Sequence, residues 1–126
     1  MKLPHPSCVG ALLRAGAIAL SCVAAAHAQD AAAVNSHTVK VVVDNAQVRV
    51  LEATIPPGEK ENPHSHPASV IYVIDGGQVR NHVGDQVSET TLVSGRTLYR
   101  EPTTHWAENV GDTTIHLILV ELKEQP

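Results

Sequence analysis

A His-x-His pair in the middle of the chain constrains the fold more than any other feature. The pair, His64 and His66, lies in the segment GEKENPHSHPASVIYVIDGG, which runs from Gly58 to Gly77. In an extended strand, side chains two residues apart point to the same face. The two imidazoles are therefore expected side by side on one surface, as two ligands of a single metal ion must be. A third histidine, His105, lies in a comparable setting in TTHWAENVGD.

Short strands separated by turn residues are predicted along most of the chain. The turn signals include Pro56-Pro57-Gly58, Gly84-Asp85-Gln86 and Ser94-Gly95. Strands are predicted at residues 38–43, 48–55, from the histidine pair to the glycines at 76 and 77, and at 78–83, 87–93, 97–100, 105–109 and 113–123. No segment shows a convincing helical period, and the chain has no Phe, so Val, Ile and Leu must form the core. This pattern predicts a sandwich or a closed barrel, and the short length favours the barrel.

Composition and charge exclude several classes of function. The net charge is −4 and no basic cluster is present, so nucleic acid is not an expected partner. Both cysteines, Cys8 and Cys22, lie in the N-terminal segment that is expected to be removed. The remaining chain then has no thiol, which excludes disulfides, cysteine–metal ligation and cysteine nucleophiles.

Residues 1–28 have the features of a secretory signal peptide. Lys2 and Arg14 precede an apolar stretch, 15–26, which ends in the small-x-small sequence Ala26-His27-Ala28. The apolar stretch is shorter than the roughly 20 residues that span a membrane. We therefore expect cleavage after Ala28, a bacterial periplasmic or secreted location, and no stable membrane association after cleavage.

Lipid attachment at Cys22 is the alternative to this cleavage. Cys22 ends the sequence ALSC, in which Ala19 stands where a leucine is usual. In either case, residues 29–37 are interpreted as a loose linker and residues 38–126 as a single β-barrel domain.

The histidine segments resemble the two motifs of the cupins, which are small jelly-roll barrels. The first motif, G-x5-H-x-H-x3,4-E-x6-G, is matched by Gly58, His64, His66 and Gly77. The second, G-x5-P-x-G-x2-H-x3-N, is matched at its end by His105 and Asn109. Its earlier positions differ, since Gly95 is one residue too close to His105, and Arg100 and Pro102 replace the expected proline and glycine.

The resemblance implies an all-β, single jelly-roll barrel that binds a divalent transition metal. Counting along the first motif places Val70 where the family has its metal-binding glutamate, which leaves His64, His66 and His105 as the expected ligands. Imidazole ligands suit iron, zinc, copper or nickel. The resemblance also implies a homodimer.

The resemblance also implies further pocket residues. In the family register Val70 faces the cavity, and Tyr72 shares its strand parity, so Tyr72 either bonds to a ligand or packs in the interior. His82 either approaches the site from the next strand or is a satisfied or exposed histidine. Trp106 alternates with His105 and should face away from the metal. Asn109 is expected to stabilise the turn at Gly111-Asp112. The charged residues Arg49, Glu52 and Arg100 fit either a pocket rim or solvated strand faces.

Three functions are compatible with these residues. The first is a metal-dependent enzyme, with a dioxygenase acting on a small chelating or anionic substrate as the enzymatic interpretation. The second is a non-catalytic periplasmic module that binds a small ligand or a metal. The third is a structural or accessory subunit in which the histidines only order the barrel. The alternatives to metal ligation are a polar loop that happens to contain His64 and His66, and a core His105 that bonds to backbone. The fold does not choose among them, because jelly-roll barrels host many chemistries.

Overall fold

The computed structural model describes residues 29–124. The predicted signal peptide, residues 1–28, lies outside the described residues. Within the described part of the chain, no helix is long and apolar enough to cross a membrane.

The described chain is built almost entirely from antiparallel strands. A short helix, α1 (Ala31–Val34), precedes nine strands, and their bounds are β1 (Val39–Asp44), β2 (Val48–Ile55), β3 (His64–His66), β4 (Ser69–Asp75), β5 (Gly77–Val83), β6 (Gln86–Leu92), β7 (Thr97–Arg100), β8 (Thr103–Asn109) and β9 (Ile115–Leu122). These strands begin and end close to the positions that the sequence predicts, except that the histidine strand is divided into β3 and β4. Pro67 and Ala68 lie at the break.

The strands form two sheets that enclose the core. One sheet has the order β1-β2-β9-β4-β7 and the other has the order β3-β8-β5-β6. Leu51, Val73 and Ile115 are fully buried between them. This architecture confirms the predicted all-β jelly roll.

Tight turns and close strand contacts depend on two glycines. Gly84 links β5 to β6 with a φ of +55°, a conformation that residues with a Cβ rarely adopt. Gly76 lies against the backbone of Leu92, whose carbonyl oxygen would be 2.0 Å from any Cβ at this position. A larger residue at position 76 would therefore separate the end of β4 from the end of β6.

The inner face of the five-stranded sheet is polar at one end and apolar beyond it. Cross-strand pairing aligns a row of residues that we call the polar row: Asp44, Arg49, Glu121, Ser69 and Arg100. The next inward row is apolar and consists of Val41, Leu51, Leu119, Ile71 and Leu98. One end of the barrel interior can therefore hold charged groups while the other forms a hydrophobic core.

The N-terminal segment 29–37 is packed against the barrel, so the expectation of a loose linker is corrected. Asp30 caps α1 by accepting a hydrogen bond from the N–H of Ala33, and it forms a parallel bridge with Ser65 of the histidine strand. Ala31 and Asn35 are buried. The segment escaped prediction because its order depends on contacts with distant residues rather than on a local periodic pattern.

Candidate metal centre

Three histidines meet where β3 and β8 pair. His64 lies directly opposite His105 in the antiparallel register, and His66 is two residues further along β3 on the same face. All three side chains are buried. One ligand nitrogen from each lies within 4.8 Å of the others, so the cluster is compact enough to hold one metal ion.

Each imidazole is oriented by an acceptor at its Nδ1 atom. His64 Nδ1 donates to the carbonyl of Asn62 at 2.7 Å, and His105 Nδ1 donates to Oδ1 of Asn81 at 3.0 Å. His66 Nδ1 donates to Oε1 of Glu121 at 2.6 Å. Nδ2 of Asn35 also lies 3.0 Å from Nδ1 of His64. The acceptors assign the hydrogen of each ring to Nδ1 and the lone pair to Nε2. This is the arrangement in which histidine binds a metal.

The Nε2 atoms of His64 and His66 are only 3.0 Å apart. At this separation both nitrogens can bind a single cation. The donor set therefore fits a divalent transition metal, for which neutral imidazole is a preferred ligand. The residues that would hold the ion are His64, His66 and His105.

Burial keeps two of these imidazoles neutral. Loss of hydration lowers the pKa of His64, and the same effect, together with the nearby Arg100 guanidinium, lowers the pKa of His105 to about 2. A metal competes with protons for the same nitrogens. The two rings therefore stay in the metal-binding form at a lower pH than free histidine does.

The N-terminal segment supports the site from outside the barrel. Oδ1 of Asn35 accepts a hydrogen bond from the N–H of Asn62 at 2.7 Å, and its Nδ2 donates to the carbonyl of Asn62 at 3.3 Å. That carbonyl is the one that orients His64. Arg49 forms a two-point ion pair with Asp30 and lies 3.8 Å from Glu121, the partner of His66.

A cavity of about 160 Å³ opens beside the histidines. Leu51, Ile115, Leu117 and other apolar side chains from both sheets form most of its wall. Its polar lining consists of Glu61, His64, His66, Asn81, Thr90, Arg100 and His105.

Two charged groups share this cavity with the imidazoles. Burial raises the pKa of the Glu61 carboxyl to about 7, although the Arg100 guanidinium opposes the rise. Burial also lowers the pKa of Arg100. Nη1 of Arg100 donates to Nε2 of His105 at 3.3 Å, the atom that would face a metal.

Sequence reasoning missed several of these residues. Glu121 continues the inward-facing alternation after Leu119, and this parity is the signal that could have identified it. Arg100, one of the candidates for a pocket rim, lies in the cavity lining. Glu61 and Asn35 lie outside the strands, and no local pattern marks them.

The expected pocket roles of Val70 and Tyr72 are corrected. Inward and outward residues alternate along β4, and Ser69, Ile71 and Val73 are the buried ones. Val70 is therefore on the outer face, and Tyr72 is 46% exposed there. Because the chain breaks between β3 and β4, parity cannot be counted through from His66, and Ser69 takes the inward position.

His82 also lies outside the cavity. Its ring stacks on Trp106 with centroids 3.5 Å apart and planes 5° from parallel, and its Nε2 is 3.9 Å from a carboxylate oxygen of Glu108. These groups lie on the outer face of the four-stranded sheet, because Val79 and Asn81 take the inward positions of β5. The expectation that Trp106 faces away from the histidines is confirmed.

Asn109 has the structural role that the sequence predicts. Its Oδ1 accepts from the N–H of Gly111 at 3.0 Å, and its Nδ2 donates to the carbonyls of Ile55 and Thr113, each at 2.8 Å. The side chain therefore fixes the turn between β8 and β9. It does not line the histidine cavity.

The fold and the site define a class: a small two-sheet β-barrel with a three-histidine cluster beside an internal cavity. A family model described as a cupin domain matches residues 51–121. The chain belongs to the cupin family.

Solved structures agree with this assignment. A cupin domain from Bordetella pertussis Tohama I is 26% identical, with a TM-score of 0.64, and the match covers 68% of this chain and 92% of that one. An uncharacterized protein with a double-stranded β-helix domain from Klebsiella pneumoniae is also 26% identical, with a TM-score of 0.55 and coverage of 66% and 73%. An RmlC-like cupin from Methanocaldococcus jannaschii is 17% identical, with a TM-score of 0.56 and coverage of 67% and 77%, and it supports the fold alone. No curated protein sequence matches the chain significantly.

Proposed function

We propose that this cupin binds a divalent transition metal through His64, His66 and His105. The single observation that carries the proposal is the shared orientation of the three rings. Each Nδ1 donates to a fixed acceptor, which leaves three Nε2 lone pairs in one compact cluster. Iron, zinc, copper and nickel are the candidate metals.

We further propose that the loaded site acts on a small chelating or anionic substrate, with dioxygenase chemistry as the enzymatic form. A metal held by three neutral ligands keeps its full charge and supplies Lewis-acid or redox chemistry at its open positions. The protein contributes the fixed imidazoles, the apolar wall that excludes water, and two charged groups beside the site. Glu61 can hold or release a proton near neutral pH, and Arg100 can pair with an anion.

A non-catalytic ligand or metal-binding module is the second candidate. The cavity volume of about 160 Å³ is below the range of roughly 300–1,000 Å³ that is common for ligand pockets. So small a space favours a metal with one small ligand over a large substrate.

Metal analysis of purified protein tests the proposal. Wild-type protein should contain about one transition-metal ion per chain after reconstitution, and His64→Ala should lose it. His116→Ala is the matched control, because His116 bonds to Glu52 on the outer face of β9. Absence of metal in the wild type after reconstitution would leave the histidines with a structural role.

Turnover distinguishes the enzyme from the binding module. The iron-loaded protein should consume oxygen with a catechol, a 1,2-dicarbonyl or a thiol carboxylate, and His64→Ala should not. Thermal stabilisation by metal without oxygen consumption on any of the three would favour the binding module.

We also propose export to the periplasm or exterior, on the basis of residues 1–28. Mass spectrometry of the native protein should give an N-terminus at Gln29. A lipid-modified N-terminal Cys22 would support the alternative.

A homodimer is proposed through the outer face of the five-stranded sheet. An apolar cross-strand row crosses that whole face and consists of Val43, Val50, Val120, Val70 and Tyr99. Exposed apolar patches of this kind often mark protein interfaces. Light scattering should give twice the monomer mass, and Val70→Lys should give monomers.

A further inference from the structure

Cross-strand register gives the cavity a charged end, at the polar row that contains Arg100, and an apolar end beyond Leu51. The apolar side chains that line the cavity include Leu51, Ile115 and Leu117, and the polar ones include the three histidines, Glu61 and Arg100. Its volume of about 160 Å³ is close to that of an engineered cavity of ~150 Å³ that binds benzene. A ligand that fits must therefore be small, with an apolar body and a polar head.

Arg100 is the cation at the charged end, and its guanidinium has no carboxylate within ion-pair distance among residues 29–124. Two other arginines of the barrel are paired with carboxylates: Arg49 with Asp30, and Arg80 with Glu89. The hydrogen bond that Arg100 makes is 3.3 Å long and goes to a neutral imidazole. A partly buried charge without a carboxylate in contact is costly, and an anionic ligand would compensate for it more fully than the distant Glu61 does.

Metal binding would leave Arg100 needing a new acceptor. Nε2 of His105 has one lone pair, so it cannot accept from Arg100 and bind a metal at once. Three neutral imidazoles also leave the charge of a divalent ion uncompensated, and Arg100 adds to it. An anion at this position would accept a hydrogen bond from Arg100 and would also compensate for the charge of the metal ion.

Glu61 does not prevent an anion from entering. Its pKa of about 7 means that the carboxyl is protonated in a large fraction of molecules at neutral pH. In that form it adds no negative charge and can donate a hydrogen bond.

We infer that Arg100 is the specificity residue for a small carboxylate ligand, which it anchors beside the histidines while the ligand's small apolar body packs at the hydrophobic end. The inference rests on the proposed function of this cavity, because it names the ligand class of the same site. Arg100 supplies a two-pronged guanidinium, which matches a carboxylate better than a lysine does.

Calorimetric titration with benzoate, 3-methylbutanoate and the neutral isostere benzamide tests the inference, on both metal-free and zinc-loaded protein. Wild type should bind at least one of the carboxylates, and benzoate at least about tenfold more tightly than benzamide. Arg100→Met should remove that difference, and Arg100→Lys should retain part of it. Arg80→Met is the matched control, because Arg80 lies on the outer face and pairs with Glu89, and it should bind like wild type.

Circular dichroism and thermal unfolding establish that each variant is folded. If Arg100→Met does not fold, Arg100→Lys is the variant that tests the inference. Equal affinity of wild type and a folded Arg100 variant for benzoate would overturn the inference. So would equal binding of benzoate and benzamide, or failure of wild type to bind either carboxylate.

Zinc titration without carboxylate separates this inference from the proposed function. Benzoate binding that depends on Arg100, in a protein that takes up no zinc, would refute the metal site and leave the carboxylate site standing. Zinc binding without carboxylate binding would refute only the role of Arg100.

Discussion

The carboxylate of Glu121 accepts a 2.6 Å hydrogen bond from Nδ1 of His66, although 55 residues separate the two in the chain. Both side chains are buried. The contact joins the two sheets, since His66 is on β3 and Glu121 is on β9. A carboxylate is thus present at the site, as a partner of an imidazole rather than as a member of the histidine cluster.

Glu121→Gln should weaken metal binding. The amide is a poorer acceptor than the carboxylate, so His66 is held less firmly and is less basic. Loss of such a partner typically costs about 10–100-fold in metal affinity. Zinc titration calorimetry measures the change. Glu89→Gln, on the exposed strand β6, is the control, and equal zinc affinity of wild type and Glu121→Gln would contradict the assigned role.

Wild-type protein should become less stable as the pH rises through the pKa of Glu61, and Glu61→Gln should not show this decrease. The pKa of Glu61 is about 7 in the folded protein and 4.5 without the effect of burial, so the folded state holds the proton more tightly. Below pH 4.5 the carboxyl is protonated in both states and carries no penalty. As the pH rises from 4.5 to 7, the free energy of unfolding should fall by roughly 3 kcal/mol.

Urea unfolding of metal-free protein at pH 5 and pH 8 measures this effect. The glutamine variant, which has no proton to lose, should be more stable relative to wild type at pH 8 than at pH 5. Glu89→Gln controls for removal of an exposed carboxylate. The same pH dependence in wild type and Glu61→Gln would show that the folded-state pKa of Glu61 is not raised.

Arg100→Met should strengthen zinc binding when no carboxylate is present. The substitution removes a positive charge and frees Nε2 of His105 from its 3.3 Å hydrogen bond. We expect a gain of about tenfold, equivalent to ~1.4 kcal/mol. Calorimetry in a buffer without carboxylates measures it, with Arg80→Met as the control. Weaker zinc binding by Arg100→Met would mean that the guanidinium supports the metal site.

Asn35→Ala should destabilise the protein by about 1–3 kcal/mol. The side chain is fully buried, and its loss leaves the N–H of Asn62 without an acceptor in the interior. Urea unfolding measures the difference, and Gln86→Ala, at an exposed position, should be neutral. A neutral Asn35→Ala would indicate that the N-terminal segment detaches from the barrel in solution.

The sequence was sufficient for the fold and for the three histidines, for a physical reason. Alternation along a strand is a local property, so the spacing of His64 and His66 alone placed both rings on one face. Turn glycines are also a local signal, and Gly84 and Gly95, with φ angles of +55° and +82°, lie where strands end. The outward position of Trp106 followed from the same alternation.

The supporting residues depend on tertiary contacts that no local pattern contains. The prediction that Val70 and Tyr72 face the cavity is wrong because the chain breaks at Pro67 and Ala68, and Ser69 takes the inward position on the next strand. The segment containing Asn35 has no period of its own, so its packing against Asn62 was not visible. Glu61 lies outside the strands, and only the closed barrel shows that its side chain is buried in the cavity lining.

Asp30 and Asn35, whose side chains bond to Arg49 and Asn62 and so support the histidine site, lie outside the stretch that matches the family, residues 51–121. A shortened protein, trimmed to that stretch, would keep His64, His66 and His105 but lose β1 and the hydrogen bonds that hold Asn62, and through it His64, in place. Sequence comparisons restricted to the shared region would judge such a fragment intact. Its metal affinity would differ from that of the longer chain for reasons invisible in the aligned residues.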